Sequence, residues 1–165
     1  MKLVTFLSAA ALLTAPLSAG DYDAVGKAMR SAWPQVATVA VVCDSAGSKA
    51  ALEAIAGALP GMKLIVVDVK GPQDMGKAMG TLGTRHPDAV MLVAGDKVAG
   101  DGSSAAAFLI QRMAAAKVPT VATTEAAVRQ GAVLGVGPST GGKLFANTKV
   151  AGVAGVTVPA SATAI

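Results

Sequence analysis

Aromatic side chains are scarce in this 165-residue chain: one tryptophan, one tyrosine and three phenylalanines, beside a single cysteine and a single histidine. Each shortage excludes something. Basic residues are strung out from Lys27 to Lys149 instead of forming a stripe, and few rings are available for bases to stack on, so nucleic acid is excluded as a partner. Cys43 is alone and forms no internal disulfide. His86 stands before Pro87 with no cysteine or carboxylate at ligand spacing, so no metal is expected. No histidine is placed to activate a serine nucleophile, so hydrolase chemistry has no support. The chain reads as a protein that is not an enzyme and carries no cofactor. No apolar run after Leu13 approaches the roughly 20 residues that a membrane-crossing helix needs.

What is present begins with a leader. MKLVTFLSAAALLTAPLSAG has one positive residue (Lys2), an apolar stretch from Leu3 to Leu13, a helix-breaking Pro16 and a small-residue end. That is the pattern of a secretory signal peptide over residues 1–20, and it implies secretion across the inner membrane into the periplasm. About 145 residues then remain, enough for one domain with its own core.

Short β-branched runs alternate with amphipathic stretches along that remainder. The runs are VATVAVVCD (Val36–Asp44), MKLIVVDV (Met62–Val69), AVMLVAGD (Ala89–Asp96), PTVATT (Pro119–Thr124) and AVLGVG (Ala132–Gly137). They are too continuously apolar for strands with one wet face, so helices must cover both faces. The expected fold is α/β, a doubly wound, mostly parallel five-stranded sheet in a single domain over 36–159. Residues 21–35 read as a helix that packs at the sheet edge or acts as a linker. Lys143 to Ala154 reads as helical, Val156–Pro159 as a short closing strand and 160–165 as a flexible tail. Gly76, Gly80 and Gly83 make the helix through Met75, Met79 and Leu82 a weak one.

Doubly wound sheets bind ligands beyond the carboxyl ends of their strands. Asp44, Asp68 and Asp96 fall there, where they can bind a cation or an amine, or simply cap turns. Cys43 has two readings, a small core side chain or a reactive thiol at the mouth of the site. Gly137 to Lys143 satisfies the phosphate-cradling spacing GxxxxGK, but Leu144 lacks the hydroxyl that holds Mg²⁺. What survives is a glycine-rich turn with Lys143 near a helix start, able to hold a carboxylate or phosphate. Met75, Met79 and His86 are a soft-metal set on paper, and core packing explains the methionines more economically.

The runs VATVAVVCDSAGSKAALEAIAGAL, DAVMLVAGD, AAKVPTVATTEAAVRQGAVLGVGPSTGGK and VTVPAS together resemble the C-terminal lobe of the substrate-binding proteins of ABC transporters, in the uncharacterised group that includes tryptophan- and tyrosine-type binders. The similarity runs from about Val36 to Pro159. It implies a periplasmic-binding-protein lobe, flavodoxin-like in topology, that binds a small polar solute for transport. Family members have two lobes closing on the solute, whereas this chain is expected to supply one, so a homodimer is one way to close the site. The ligand-touching loops of the family map to Asp44, Ser45, Asp96, Thr123, Thr124, Ser139 and Thr140. Where the family places an acid and a tyrosine after the Gly-Pro turn, this chain has Ser139 and Thr140, which removes an aromatic wall. The alternative is a periplasmic accessory protein that uses the same loops on a protein partner, a membrane transporter or a secreted enzyme.

Overall fold

The structure, a computed structural model, describes residues 19–137 and 140–165. The leader reading falls on residues 1–18, outside the described residues, except that Ala19 and Gly20 open the first helix. In chain order the elements are α1 (Ala19–Ala32), β1 (Thr38–Cys43), α2 (Lys49–Ala58), β2 (Lys63–Asp68), α3 (Met75–Arg85), β3 (Ala89–Met91), α4 (Ser104–Ala115), β4 (Thr120–Ala122), α5 (Glu125–Arg129), β5 (Leu134–Gly135), β6 (Phe145–Ala146), α6 (Thr148–Ala154) and β7 (Thr163–Ala164).

The strands form one seven-stranded sheet in the order β2-β1-β3-β4-β5-β6-β7. The five strands expected from the sequence are all present and mutually parallel. β6 runs antiparallel to β5, and β7 adds parallel to β6. Successive residues of β1 are all buried past Thr38 but point to opposite faces. Val39, Val41 and Cys43 join one apolar cluster with α1, α2 and α6, while Ala40 and Val42 join a second with α3, α4 and α5. Both faces are therefore covered, which is why the runs lack polar alternation.

Several local expectations are corrected. Residues 21–35 are not a linker: Tyr22, Val25, Met29 and Trp33 all lie in the core, and their spacing of three and four puts them on one face of α1. The helix expected from Lys143 begins only at Thr148, because Gly141 and Gly142 sit at φ 61 and 74 and Asn147 caps the helix, accepting from Val150 N–H at 3.0 Å. Lys143 thus precedes β6, not a helix N-terminus, and the phosphate-cradle reading loses the helix that would supply its field. The closing strand is Thr163–Ala164 in place of Val156–Pro159. The expected tail is pinned by Thr163 N–H to Leu144 O (2.8 Å) and Ile165 N–H to Ala146 O (2.9 Å).

α1 and α2 meet at Gly26, where a β-carbon would lie 2.7 Å from the Ala58 carbonyl oxygen and 3.3 Å from Leu59 Cδ2. Arg30 donates to the same carbonyl and caps the end of α2. Gly26→Ala should therefore lower stability by about 1–2 kcal/mol, the overpacking cost exceeding the helix-propensity gain. A drop of roughly 3–6 °C in Tm by calorimetry is expected, and an unchanged or raised Tm would mean that the helices yield freely.

Candidate functional site

The register pairs Cys43 with Asp68 and Val41 with Met91, so the exits of β1, β2 and β3 share one rim, which β4 and β5 continue. Asp96, buried after β3, organises its centre. One carboxylate oxygen accepts from Asp44 N–H (2.9 Å) and the Ser48 hydroxyl (2.6 Å), the other from Val98 N–H (2.9 Å) and Ala99 N–H (2.8 Å). Gly100 lets the loop wrap this tightly, since a β-carbon there would lie 2.2 Å from the Asp96 carbonyl oxygen. The acceptor capacity of Asp96 is taken up inside the chain.

Asp44 is only 2% exposed, yet its two oxygens meet the ammonium groups of Lys70 (2.6 Å) and Lys97 (2.7 Å). Those hydrogen bonds hold its carboxyl below the ordinary carboxylate range. Lys70 also reaches Asp68 (3.0 Å), whose carboxylate accepts both the backbone N–H and hydroxyl of Ser45 (2.9 and 2.6 Å). Asp68 is lowered to about 2, chiefly by Ser45 and then by Lys70. At the surface this cluster presents lysine head groups, with side-chain exposures of 55% for Lys70 and 69% for Lys97, over carboxylates already paired.

Further along the rim, the Thr124 hydroxyl accepts from Ala127 N–H (3.2 Å), capping α5, and donates to Asp101 (2.8 Å). Burial pushes the Asp101 carboxyl above the ordinary value, against the opposing pull of the Thr124 hydroxyl and the Thr123 backbone N–H. Thr140 closes its own turn, bonding Gly137 N–H (2.8 Å) and carbonyl (2.7 Å). Thr123 is fully buried. Ser139 lies outside the described residues. The structure thus joins Asp44, Ser45 and Asp96 in one network, gives Thr124 a second with Asp101, and leaves Thr140 in a third. Sequence reasoning passed over Lys70, Lys97 and Asp101. Their signal was position, next to a strand-end aspartate or inside the long loop Gly95 to Ser104.

A cavity of about 410 Å³ opens beside the rim, lined by Tyr22, Gly47, Ser48, Ala51, Ala94 and Gly95. Cys43, at the end of β1, is fully buried, and desolvation pushes its thiol up to about 12, so the core reading holds over the reactive one. His86 is exposed at the far end of α3, in the left-handed conformation with φ 47. Among the described residues no group of His, Cys, Asp and Glu could hold a metal, and no helix is long and apolar enough to cross a membrane.

No family model matches the sequence, and no curated protein matches it. Solved structures do match the fold. The ABC domain from Streptococcus pneumoniae, in complex with L-Trp, is 17% identical with a TM-score of 0.69, covering 87% of this chain and 61% of its own. The ligand-free, open structure of a substrate-binding protein with adhesive properties from Clostridium difficile is 14% identical with a TM-score of 0.70, covering 86% of this chain and 58% of its own. The chain therefore has the fold of a periplasmic-binding-protein-like lobe of ABC-transporter substrate-binding proteins, and spans about three-fifths of the length of these structures.

Asp101 yields a pH test. Its folded pKa lies above the 3.8 of an ordinary aspartate, so the folded state holds the proton more tightly, and stability is lost as pH rises from about 4 through the raised value. Asp101→Asn cannot ionise and should be more stable than the parent at pH 7, on the order of 1 kcal/mol. The gain should vanish below pH 4. Melting curves of both proteins from pH 3 to 8 measure it, and a destabilised variant at pH 7 would mean that the carboxylate is needed.

Proposed function

We propose that this chain is an exported, non-enzymatic solute-binding lobe, and that it holds a small polar solute on the rim formed by the exits of β1, β3, β4 and β5. The observation that carries the reading is the gathering of those exits along one rim, where Asp44, Ser45, Lys97 and Thr124 stand on loops fixed by internal hydrogen bonds. Open parallel sheets bind ligands at this position, and a site already held in shape loses less entropy on binding. The sole histidine is at the other end of the sheet, which favours binding over acid–base catalysis. The L-Trp complex of the streptococcal protein supports a small solute as the ligand class.

Tight sites cover most of their ligand, and a single rim covers one side. A second lobe, supplied by a second copy of the chain or by a partner, would complete the enclosure. A membrane transporter is the downstream partner under this reading, and the periplasm the compartment. Lys97 is the rim cation best placed to meet a solute carboxylate, since it is more exposed than Lys70 and, among the described residues, pairs with Asp44 alone.

A melting-temperature screen against amino acids and small carboxylates, followed by calorimetric titration, tests the proposal. A cognate solute at a hundred times its Kd should stabilise the fold by about 2.7 kcal/mol. Lys97→Ala should weaken a carboxylate-bearing solute by about tenfold or more, the worth of one charge-assisted hydrogen bond. Absence of any shift at millimolar solute would sink the reading.

A further inference from the structure

The side of the sheet opposite α1 carries a feature that the solute site does not use. Between α3 and α4 lies a cavity of about 420 Å³, with Met79, Leu82, Phe108, Arg112, Met113 and Val118 in its wall. It continues past Gly76 and Phe108 into a shallower depression of about 310 Å³ toward Ser104. The larger volume is that of a small-molecule pocket, and the lining is apolar except for Arg112 and the exposed His86. Its walls include Pro87, Ala116 and Val118, which lead into β3 and β4, so it sits at the end of the sheet away from the Asp96 rim.

The glycines of α3 are unexplained by packing within the chain. A β-carbon on Gly76, Gly80 or Gly83 would meet nothing within 4 Å. Each glycine weakens the helix by about 0.5–1 kcal/mol relative to alanine. Two of them, Gly76 and Gly83, line the cavity, where a side chain would occupy its space. The electrostatics are one-sided as well. α3 and α4 carry Lys77, Arg85 and Arg112 and no acidic residue. The Arg112 guanidinium lies 5.3 Å from the ring centre of Phe108, itself 37% exposed, and has no carboxylate partner among the described residues.

We propose that this cavity binds a small apolar monocarboxylate, an aryl or alkyl acid, with its carboxylate on Arg112 and its hydrocarbon body among Met79, Leu82 and Met113. A lone guanidinium beside an apolar wall suits a single carboxylate, which it can grip through two parallel hydrogen bonds, whereas a phosphate calls for several cations. Unbranched methionines adapt to ligands of differing outline.

Titration of the full chain with sodium octanoate and with phenylacetate, by calorimetry and by ligand-observed NMR, tests this. Saturable binding of both is expected, with acetate silent and octanol or benzyl alcohol at least about tenfold weaker for want of the charge. Arg112→Gln should weaken both acids by about tenfold or more, and Arg112→Lys should restore part of the loss. Gly83→Leu, checked for an intact fold by circular dichroism, should abolish binding by filling the space. No saturable binding at millimolar acid overturns the proposal. So does binding that survives both Arg112→Gln and Gly83→Leu, since the acids would then sit outside this cavity. The rim reading stands or falls separately, because neither α3–α4 variant touches it.

Discussion

Asp96 takes four hydrogen bonds within the chain, from the Asp44 and Val98 amides, the Ala99 amide and the Ser48 hydroxyl, and through them it fixes the loops that leave β1 and β3. A buried carboxylate is tolerable only with such compensation, and once compensated it is rigid. The rest of the rim follows from it. Asp44 is turned so that its own carboxylate meets two lysines, and Ser48 spends its hydroxyl on Asp96 without capping α2. The strand-end acids named from the sequence therefore build the rim, and the groups they set at its surface are lysines and hydroxyls.

Architecture was legible because it depends on long patterns. Five apolar runs separated by amphipathic stretches leave few ways to cover both faces of a sheet, and the parallel order followed. The misreadings share a physical cause. β6 and β7 are two residues each, too short for any periodicity, and exist because β5 offers a free edge for Phe145–Ala146 to join. α1 was underrated because Tyr22, Val25, Met29 and Trp33 look unremarkable among polar neighbours until their spacing is laid on a helix. At the rim, sequence could place Asp44, Ser45, Asp96 and Thr124 on strand-exit loops. It could not say that Lys70 and Lys97 would fold back on Asp44, since that depends on contacts between separate strands.

The two ends of the sheet have been given opposite characters. The rim is polar and tightly cross-linked, with carboxylates and ammonium groups in mutual contact. The α3–α4 side is apolar, positively charged and loosely filled, with glycines where side chains would pack. Local stability should differ in the same sense, since the glycines of α3 weaken that helix.

Trp33, at the end of the first helix, donates its indole N–H to the Thr157 carbonyl at 2.8 Å, and the Thr157 hydroxyl returns a bond to the Ala32 carbonyl at 3.1 Å. Residues more than 120 positions apart thus finish one another. A polypeptide emerging from the ribosome cannot seal this core until the segment around Thr157 has been made, so the early part of the chain stays open during vectorial synthesis. Closure of the core therefore waits on a contact between the two ends of the fold, and a chain cut short before Thr157 would leave Trp33 without its partner.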